Sequence, residues 1–273
     1  MNFGSMKIRF EKRERVSLRL RILTPLISVL VAFLIIGIIM KLMGYDPIKG
    51  YRYMFTGAFG SLYYFSESVL QSIPLMLASL GVAVALTMST MNIGAEGQYV
   101  MGAWAAIGVG VFIPGIPQSL VLPLMIVAGF LAGAIWGMLA TFPRAKWGVN
   151  ETITTLMFNY IALQFVDYWI FGPWRDRTTM NLPVSPDLPS SSMLPTIGST
   201  RVNVALFGAV LLAILLYIFI NRTAMGYQIR VIGQSTRASR YAGMNHTAIM
   251  MLVMLLSGGL AGLAGVAQVA GPG

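Results

Sequence analysis

Residues 22–42 read ILTPLISVLVAFLIIGIIMKL, and this run decides the fold. A helix that crosses a bilayer needs about 20 mostly apolar residues, and this run supplies them directly after a basic cluster of Lys7, Arg9, Lys12, Arg13, Arg15, Arg19 and Arg21. The apolar stretch is too long for the core of a cleaved signal peptide, ends at Lys41 and Leu42, and is followed by no small-x-small cleavage site. It is read as a retained membrane helix. Six similar stretches follow, near residues 68–91, 98–112, 120–141, 152–171, 204–220 and 248–270. The expected fold is all-α, a polytopic membrane bundle of about seven transmembrane helices.

Composition agrees. Of the 273 residues, 56% are hydrophobic and 10% are charged, where a soluble domain carries about a quarter charged residues. Only helices and closed barrels satisfy every backbone group inside lipid. Barrel strands would alternate in stretches of roughly ten residues, whereas the apolar runs here are continuous. The net charge of +10 does not indicate nucleic acid, because the basic residues crowd the N-terminus and the short loops. There is no cysteine, so no disulfide or thiolate metal site, and the single histidine, His246, is read as structural.

Orientation follows from the placement of Lys and Arg. With the N-terminus in the cytoplasm and one crossing per apolar stretch, the inner side holds the seven N-terminal cations with Arg144, Lys146, Arg222, Arg230, Arg237 and Arg240. The outer side holds Lys41, Lys49, Arg52, Arg175, Arg177 and Arg201. The chain then divides into a basic cytoplasmic segment (1–21) and a membrane domain (22–273), with an extracellular loop at 172–203 and a cytoplasmic loop at 221–245. The outer loop contains Pro173, Pro183, Pro186, Pro189 and Pro195, unsuited to a spanning helix. Gly129, Gly133 and Gly137, and likewise Gly258, Gly262 and Gly265, have the small-residue spacing that lets helix backbones approach in lipid.

Catalytic motifs such as a phosphate-binding loop, HExxH or GxSxG are missing, so no enzymatic role is expected. The informative polar residues are those within or between apolar runs, where burial in lipid is costly. Asn92-Ile93-Gly94-Ala95-Glu96-Gly97-Gln98 combines two loosening glycines with three hydrogen-bonding side chains. A broken helix at a substrate path and a tight polar turn at the surface both account for it. In Trp147–Ile153, Asn150 can cap the next helix and Glu151 suits its positive end. Thr155 and Asn159, one turn apart, share a face that could line a pathway. Glu67 and Asp167 are read as solvated at the membrane edge. The loop 221–245 is amphipathic, basic and long for a connector. It is expected to form short surface helices between Gly226 and Gly233 and again before Gly243, either as a solvated loop or as a docking element.

At these three segments the sequence resembles the permease subunits of bacterial ABC importers, in the branch shared by sugar, branched-chain amino acid and nucleoside systems. Asn92–Gln98 matches the NIGAEGQ segment of the nucleoside-type members, those linked to basic membrane proteins. Gly148–Ile153 is similar to their G-[VA]-N-E-[VT]-I segment, and Thr223–Gly243 to the loop that contacts the ATPase. Val231, Ser235 and Ser239 depart from that loop by small changes. Such permeases usually continue for several more helices, so C-terminal truncation is expected.

The resemblance implies a multi-pass permease of the bacterial cytoplasmic membrane that moves a small polar solute, a nucleoside first and a simple sugar as the alternative, by alternating access. It implies no cofactor in this chain, ATP being bound by cytosolic ABC ATPase subunits. It further implies a second permease subunit, an extracellular substrate-binding lipoprotein, contact with membrane lipid and no nucleic acid. Asn92, Glu96 and Gln98, then Asn150, Glu151, Thr155 and Asn159, are the expected pathway residues. Gly226, Arg230, Gly233, Arg240 and Gly243 are the expected ATPase-docking residues. A secondary transporter is the rival, and would carry ion-coupling carboxylates at mid-membrane and need no docking loop.

Overall fold

The computed structural model describes residues 2–3, 6–7, 17–176, 178–179, 184–198 and 200–271. Arg9, Lys12, Arg13, Arg15, Arg177 and Pro183, used in the sequence reading, lie outside the described residues, as do the last two positions. Two compact units are formed, residues 1–61 and 62–273.

The first unit contains a two-residue antiparallel strand pair, β1 (Asn2–Phe3) with β2 (Met6–Lys7), and two helices, α1 (Leu18–Leu42) and α2 (Pro47–Phe59). Asp46 starts α2 by accepting from the Ile48 and Lys49 backbone N–H groups at 2.9 and 3.3 Å, and Pro47 fits the first helical position. The hairpin closes where the Tyr51 hydroxyl donates to the Phe33 carbonyl and the Phe33 and Tyr51 rings meet edge-to-face at 5.3 Å. Helix α2 has no counterpart in the seven expected stretches. Its polar residues Lys49, Arg52 and Thr56 hide it from a hydropathy reading.

The second unit is a helical bundle: α3 (Leu62–Thr87), α4 (Ala95–Ile107), α5 (Gln118–Trp147), α6 (Glu151–Phe171), α7 (Ala205–Arg222), α8 (Ala224–Gln234), α9 (Thr236–Tyr241) and α10 (His246–Val269). Helix α10 is the hub and packs against α3, α4 and α5. It can occupy the centre because one of its faces is nearly all small residues. Gly133 of α5 and Gly258 of α10 lie so close that neither has room for a Cβ, and the Gly129–Gly262 pair repeats this one turn away. Gly265 faces α4 instead, against the Tyr99 carbonyl. Backbone proximity of this kind replaces the hydrophobic drive that lipid removes. The outward faces are as apolar as a core. Phe207, Leu211, Ile214, Leu215 and Ile218 of α7 are all exposed, as suits helices solvated by hydrocarbon.

Among the described residues, five helices are long and apolar enough to cross a membrane: residues 22–42 within α1, and α3, α5, α7 and α10. The third and fifth expected stretches fall on α4 and α6. Helix α4 has 13 residues, about 20 Å at 1.5 Å each, and runs on into a π-turn at Gly108–Phe112. Helix α6 has 21 residues and carries Glu151, Asn159, Gln164 and Asp167. The second stretch also ends earlier than expected. Helix α3 stops at Thr87, and residues 88–94 form an irregular segment before α4 whose residues alternate between buried (Met88, Thr90, Asn92, Gly94) and exposed (Ser89, Met91, Ile93).

Helix α6 nevertheless runs between the same two ends as its neighbours, whereas α4 starts inside the bundle and reaches only one of them. One end gathers Met88, Arg144, Glu151, Ile232 and His246 around a common cleft. At the other end Leu194 donates its N–H to the Ala270 carbonyl at 2.7 Å, and Trp174 stacks on Trp104 and Phe112 at 5.4 and 4.6 Å. The proline-rich loop at 172–203 therefore folds down onto the bundle, with Ser192 and Asn203 fully buried.

Candidate functional site

The Asn92–Gln98 segment is a buried clasp. Asn92 Nδ2 donates to Gln98 Oε1 at 2.9 Å and to Ser257 Oγ at 2.8 Å, while its Oδ1 accepts from Gln98 Nε2 at 3.2 Å and from the Gly94 N–H at 3.0 Å. All four hydrogen-bonding positions of Asn92 are thus used. A second amide locks the same segment from α6. Asn159 Oδ1 accepts from the Gly97 N–H at 2.8 Å, and its Nδ2 donates to the Ile93 carbonyl at 2.9 Å. Thr155, fully buried on the same face of α6, lies against Gly94. A network this complete in a low-dielectric interior is stiff, because every alternative leaves a polar group unpaired.

Its depth follows from its partner. Ser257 is eleven residues into α10, about 16 Å along its axis, and lies against Gly81, six residues before the end of α3. The segment is no surface turn. Residues 95–98 are also the first turn of α4 rather than a connector.

Of the expected pathway residues, Asn92, Gln98, Thr155 and Asn159 come together here. Glu96 is exposed in the first turn of α4. Asn150 caps α6, accepting from the Thr152 N–H at 2.9 Å. Glu151 in the next position is 3.3 Å from Arg144 Nη1. Glu151 lies near the 221–245 segment rather than in the clasp. The sequence reading missed Ser257, although it is the hydroxyl at the middle of the apolar run of α10. It also missed the environment of Glu67. The side chain is ion-paired with Arg201 Nη1 at 3.1 Å rather than solvated alone, because Arg201 reaches it from a loop 134 residues later. The Tyr63 hydroxyl, followed by that carboxylate, raises the Arg201 pKa above the ordinary guanidinium value.

The 221–245 segment forms two short helices, where the sequence placed them. Thr223 turns the chain from α7 into α8: its hydroxyl donates to the Phe219 carbonyl at 2.6 Å and accepts from the Gly226 N–H at 3.0 Å. Gly226, Ile229 and Ile232 form the buried stripe of α8, with Ile229 and Ile232 packed among Val84, Met88, Val253 and Met254. Gly233 presses on the Thr87 carbonyl and Met88 with no space for a side chain. Beside it, Ser89 holds a left-handed backbone (φ 57°), and its hydroxyl donates to the Gly233 carbonyl at 2.8 Å. A non-glycine residue in this region is strained by roughly 1–3 kcal/mol and persists where packing over-determines it. Gly226 and Gly233 therefore seat α8 on the bundle. Arg230 is half-buried and reaches Asn221 Oδ1 at 3.5 Å, Arg237 and Arg240 project outward, and Gly243 takes the positive φ of 70° that ends the hairpin.

A cleft of about 350 Å³ lies between this hairpin and the start of α6, lined by Ser89, Arg144, Glu151, Gly233, Arg237 and His246 among others. Arg240 and His246 line an adjoining one of about 620 Å³. Trp104, Phe165, Trp169 and Trp174 pack on one another at 5.0–6.2 Å between centroids.

Comparison with known proteins gives the same direction. The family model described as "Branched-chain amino acid transport system / permease component" matches residues 64–273. The chain is 34% identical over 249 residues to the guanosine ABC transporter permease NupP of Bacillus subtilis, covering 90% of this chain and 71% of that protein. It is 32% identical to the glucose ABC transporter permease TsgB13 of Haloferax volcanii, over 98% of this chain and 73% of that one. It is also 32% identical to the nucleoside ABC transporter permease NupB of Lactococcus lactis, over 90% and 70%. No solved structure gives a significant match. The chain belongs to the branched-chain amino acid transport system permease component family: it is a multi-pass, non-catalytic permease subunit of an ABC importer, whose ATP is bound by a partner ATPase.

Proposed function

We propose that this subunit imports nucleosides, with its N-terminus and the 221–245 loop in the cytoplasm and seven crossings in all. The observation that carries the mechanism is the physical link between the docking hairpin and the clasp. Helix α8 rests on Met88 through Gly233, Ser89 bonds the Gly233 carbonyl, and three residues later Asn92 enters the clasp. In this reading a partner ATPase that moves the hairpin pulls on Ser89 and opens or closes the Asn92–Gln98–Ser257 contact. Asn92, Glu96, Gln98, Thr155 and Asn159 then belong to the pathway and its closure, with Asn150 and Glu151 nearer the docking cleft. Gly226, Arg230, Gly233, Arg240 and Gly243 belong to the docking element. A second permease subunit and an extracellular lipoprotein complete the importer.

The nucleoside assignment is supported by the NIGAEGQ segment and by the names of two of the three relatives. A simple sugar is the second reading, favoured by the glucose permease that aligns with 98% of the chain. The test is ATP-dependent uptake of labelled uridine and guanosine in vesicles carrying the complete transporter, competed by unlabelled nucleosides, ribose and glucose. Uptake displaced by nucleosides and not by sugars is expected. Displacement by sugars alone overturns the substrate, and uptake that survives ATP depletion but collapses with the proton gradient overturns the mechanism.

A further inference from the structure

At the end of the bundle away from the docking hairpin, Glu67, Gln71, Arg201 and Gln268 line a cavity of about 340 Å³ with Leu70, Pro74 and Ala267. From Glu67 to Thr87, where α3 meets α8, is twenty residues, or about 30 Å of helix, a bilayer's thickness. Gln71 and Gln268 both stand exposed on helices apolar enough to span a membrane. Amide side chains turned into hydrocarbon are costly, so these two mark a water-filled space.

The chemistry of the lining is specific. The carboxylate and guanidinium neutralise each other at 3.1 Å, so the cavity has donors and acceptors but no net charge. Two amides add N–H donors and a carbonyl acceptor each, and Leu70, Pro74 and Ala267 supply apolar surface. Such a set suits a neutral, hydroxyl-rich ring and disfavours an anion or a cation. Its size falls within the range of about 300–1,000 Å³ usual for small-molecule sites.

The cavity also stands in line with the clasp. Eleven residues separate Ser257 from Gln268, which at 3.6 residues per turn returns to the same face of α10. Between them on that face are Ala261 and Ala264, the latter covered by the cluster containing Ile73 and Leu77 of α3. The way from cavity to clasp is a small-residue track closed by two α3 side chains.

We propose that this cavity is the outward-facing solute subsite of the permease, reading the hydroxylated ring common to ribonucleosides and simple sugars through Glu67, Gln71 and Gln268, with Arg201 positioning Glu67. The proposal rests on the importer reading above. It is tested with Gln268→Cys in the assembled transporter, which is practical because the chain contains no cysteine. A membrane-impermeant thiol reagent should label this variant from the outer face only, and uridine or guanosine should slow labelling at least threefold. Labelling from neither face, from the docking face alone, or at a rate unchanged by uridine, guanosine, ribose and glucose overturns the subsite. Slowing by the sugars alone keeps the subsite and rejects the nucleoside. Slowing without any ATP-dependent uptake by the unmodified transporter keeps the subsite and rejects the importer mechanism. In parallel, Gln71→Leu should raise the solute concentration for half-maximal uptake at least tenfold. A fall in maximal rate at unchanged half-saturation would mean that Gln71 has a structural role only and would overturn its assignment.

Discussion

Asn92 and Gln98 hold each other through both amides, at 2.9 and 3.2 Å, in the only buried stretch of the bundle where side-chain amides meet among the described residues. Six residues separate them, and the chain between them turns from irregular backbone into the first turn of α4. The pair is thus a fold determinant.

Gln98→Leu should destabilise the subunit by about 1–3 kcal/mol, since one Asn92 N–H and one of its oxygen lone pairs lose their partner in a buried site, the bonds to Ser257 and Gly94 remaining. Asn92→Leu should cost a similar amount. The double variant should cost clearly less than the two together, because each single change already breaks the shared bonds. Thermal unfolding of the purified subunit in detergent measures all three, and strict additivity would show that the two amides do not act as a unit.

Glycine at the α5–α10 crossing should be intolerant in a way that glycine elsewhere is not. Gly133→Ala places a Cβ against the Gly258 backbone and should cost about 1–3 kcal/mol through forced separation of the helices. Gly208→Ala on α7 meets nothing within 4 Å and should be neutral or stabilising by up to about 1 kcal/mol from helix propensity. Monodispersity and unfolding temperature of the two variants should diverge accordingly.

The Arg144–Glu151 pair is partly solvated, with side-chain exposures of 41% and 17%. Its loss in Glu151→Gln should therefore cost less than about 1 kcal/mol. Arg144→Glu should be worse, as it sets two carboxylates together. Exchanging the charges should restore only part of the loss, because Glu151 also complements the N-terminus of α6. Unfolding temperatures at low and high salt check the order, and the differences should shrink with salt.

For the docking hairpin, Arg240→Glu leaves the buried face of α8 untouched and should release the partner ATPase during co-purification while membrane insertion stays normal. Gly233→Pro, and Arg230→Glu at a half-buried position, should abolish uptake and still insert. Normal transport by these variants would remove the hairpin from the coupling route.

How much of this was legible in the sequence differs from element to element. The apolar run at 22–42, the proline-rich 172–203 loop and the amphipathic pattern of Gly226, Ile229 and Ile232 each declare themselves locally, because hydropathy, turn chemistry and helical period act over a few residues. Membrane class and the two short helices of the 221–245 segment followed from those signals. Helix α2 and the early end of α3 did not. Helix α2 is too polar for a hydropathy window although Asp46 and Pro47 start it locally, and the end of α3 is set by how Met88, Asn92 and Gly233 pack.

The sequence by itself determined that this chain lives in lipid and which segments carry polar chemistry, since transfer from water to hydrocarbon depends on composition along the chain. Only the tertiary structure decided that Asn92 finds Ser257 and Gln98, that Gly233 bears on Met88, and that Glu67 meets Arg201 beside Gln71 and Gln268. Those partners lie up to 165 residues apart. Which polar groups meet is set by close glycine-to-glycine packing of α10 against its neighbours, and such pairings leave no periodic trace in a single sequence.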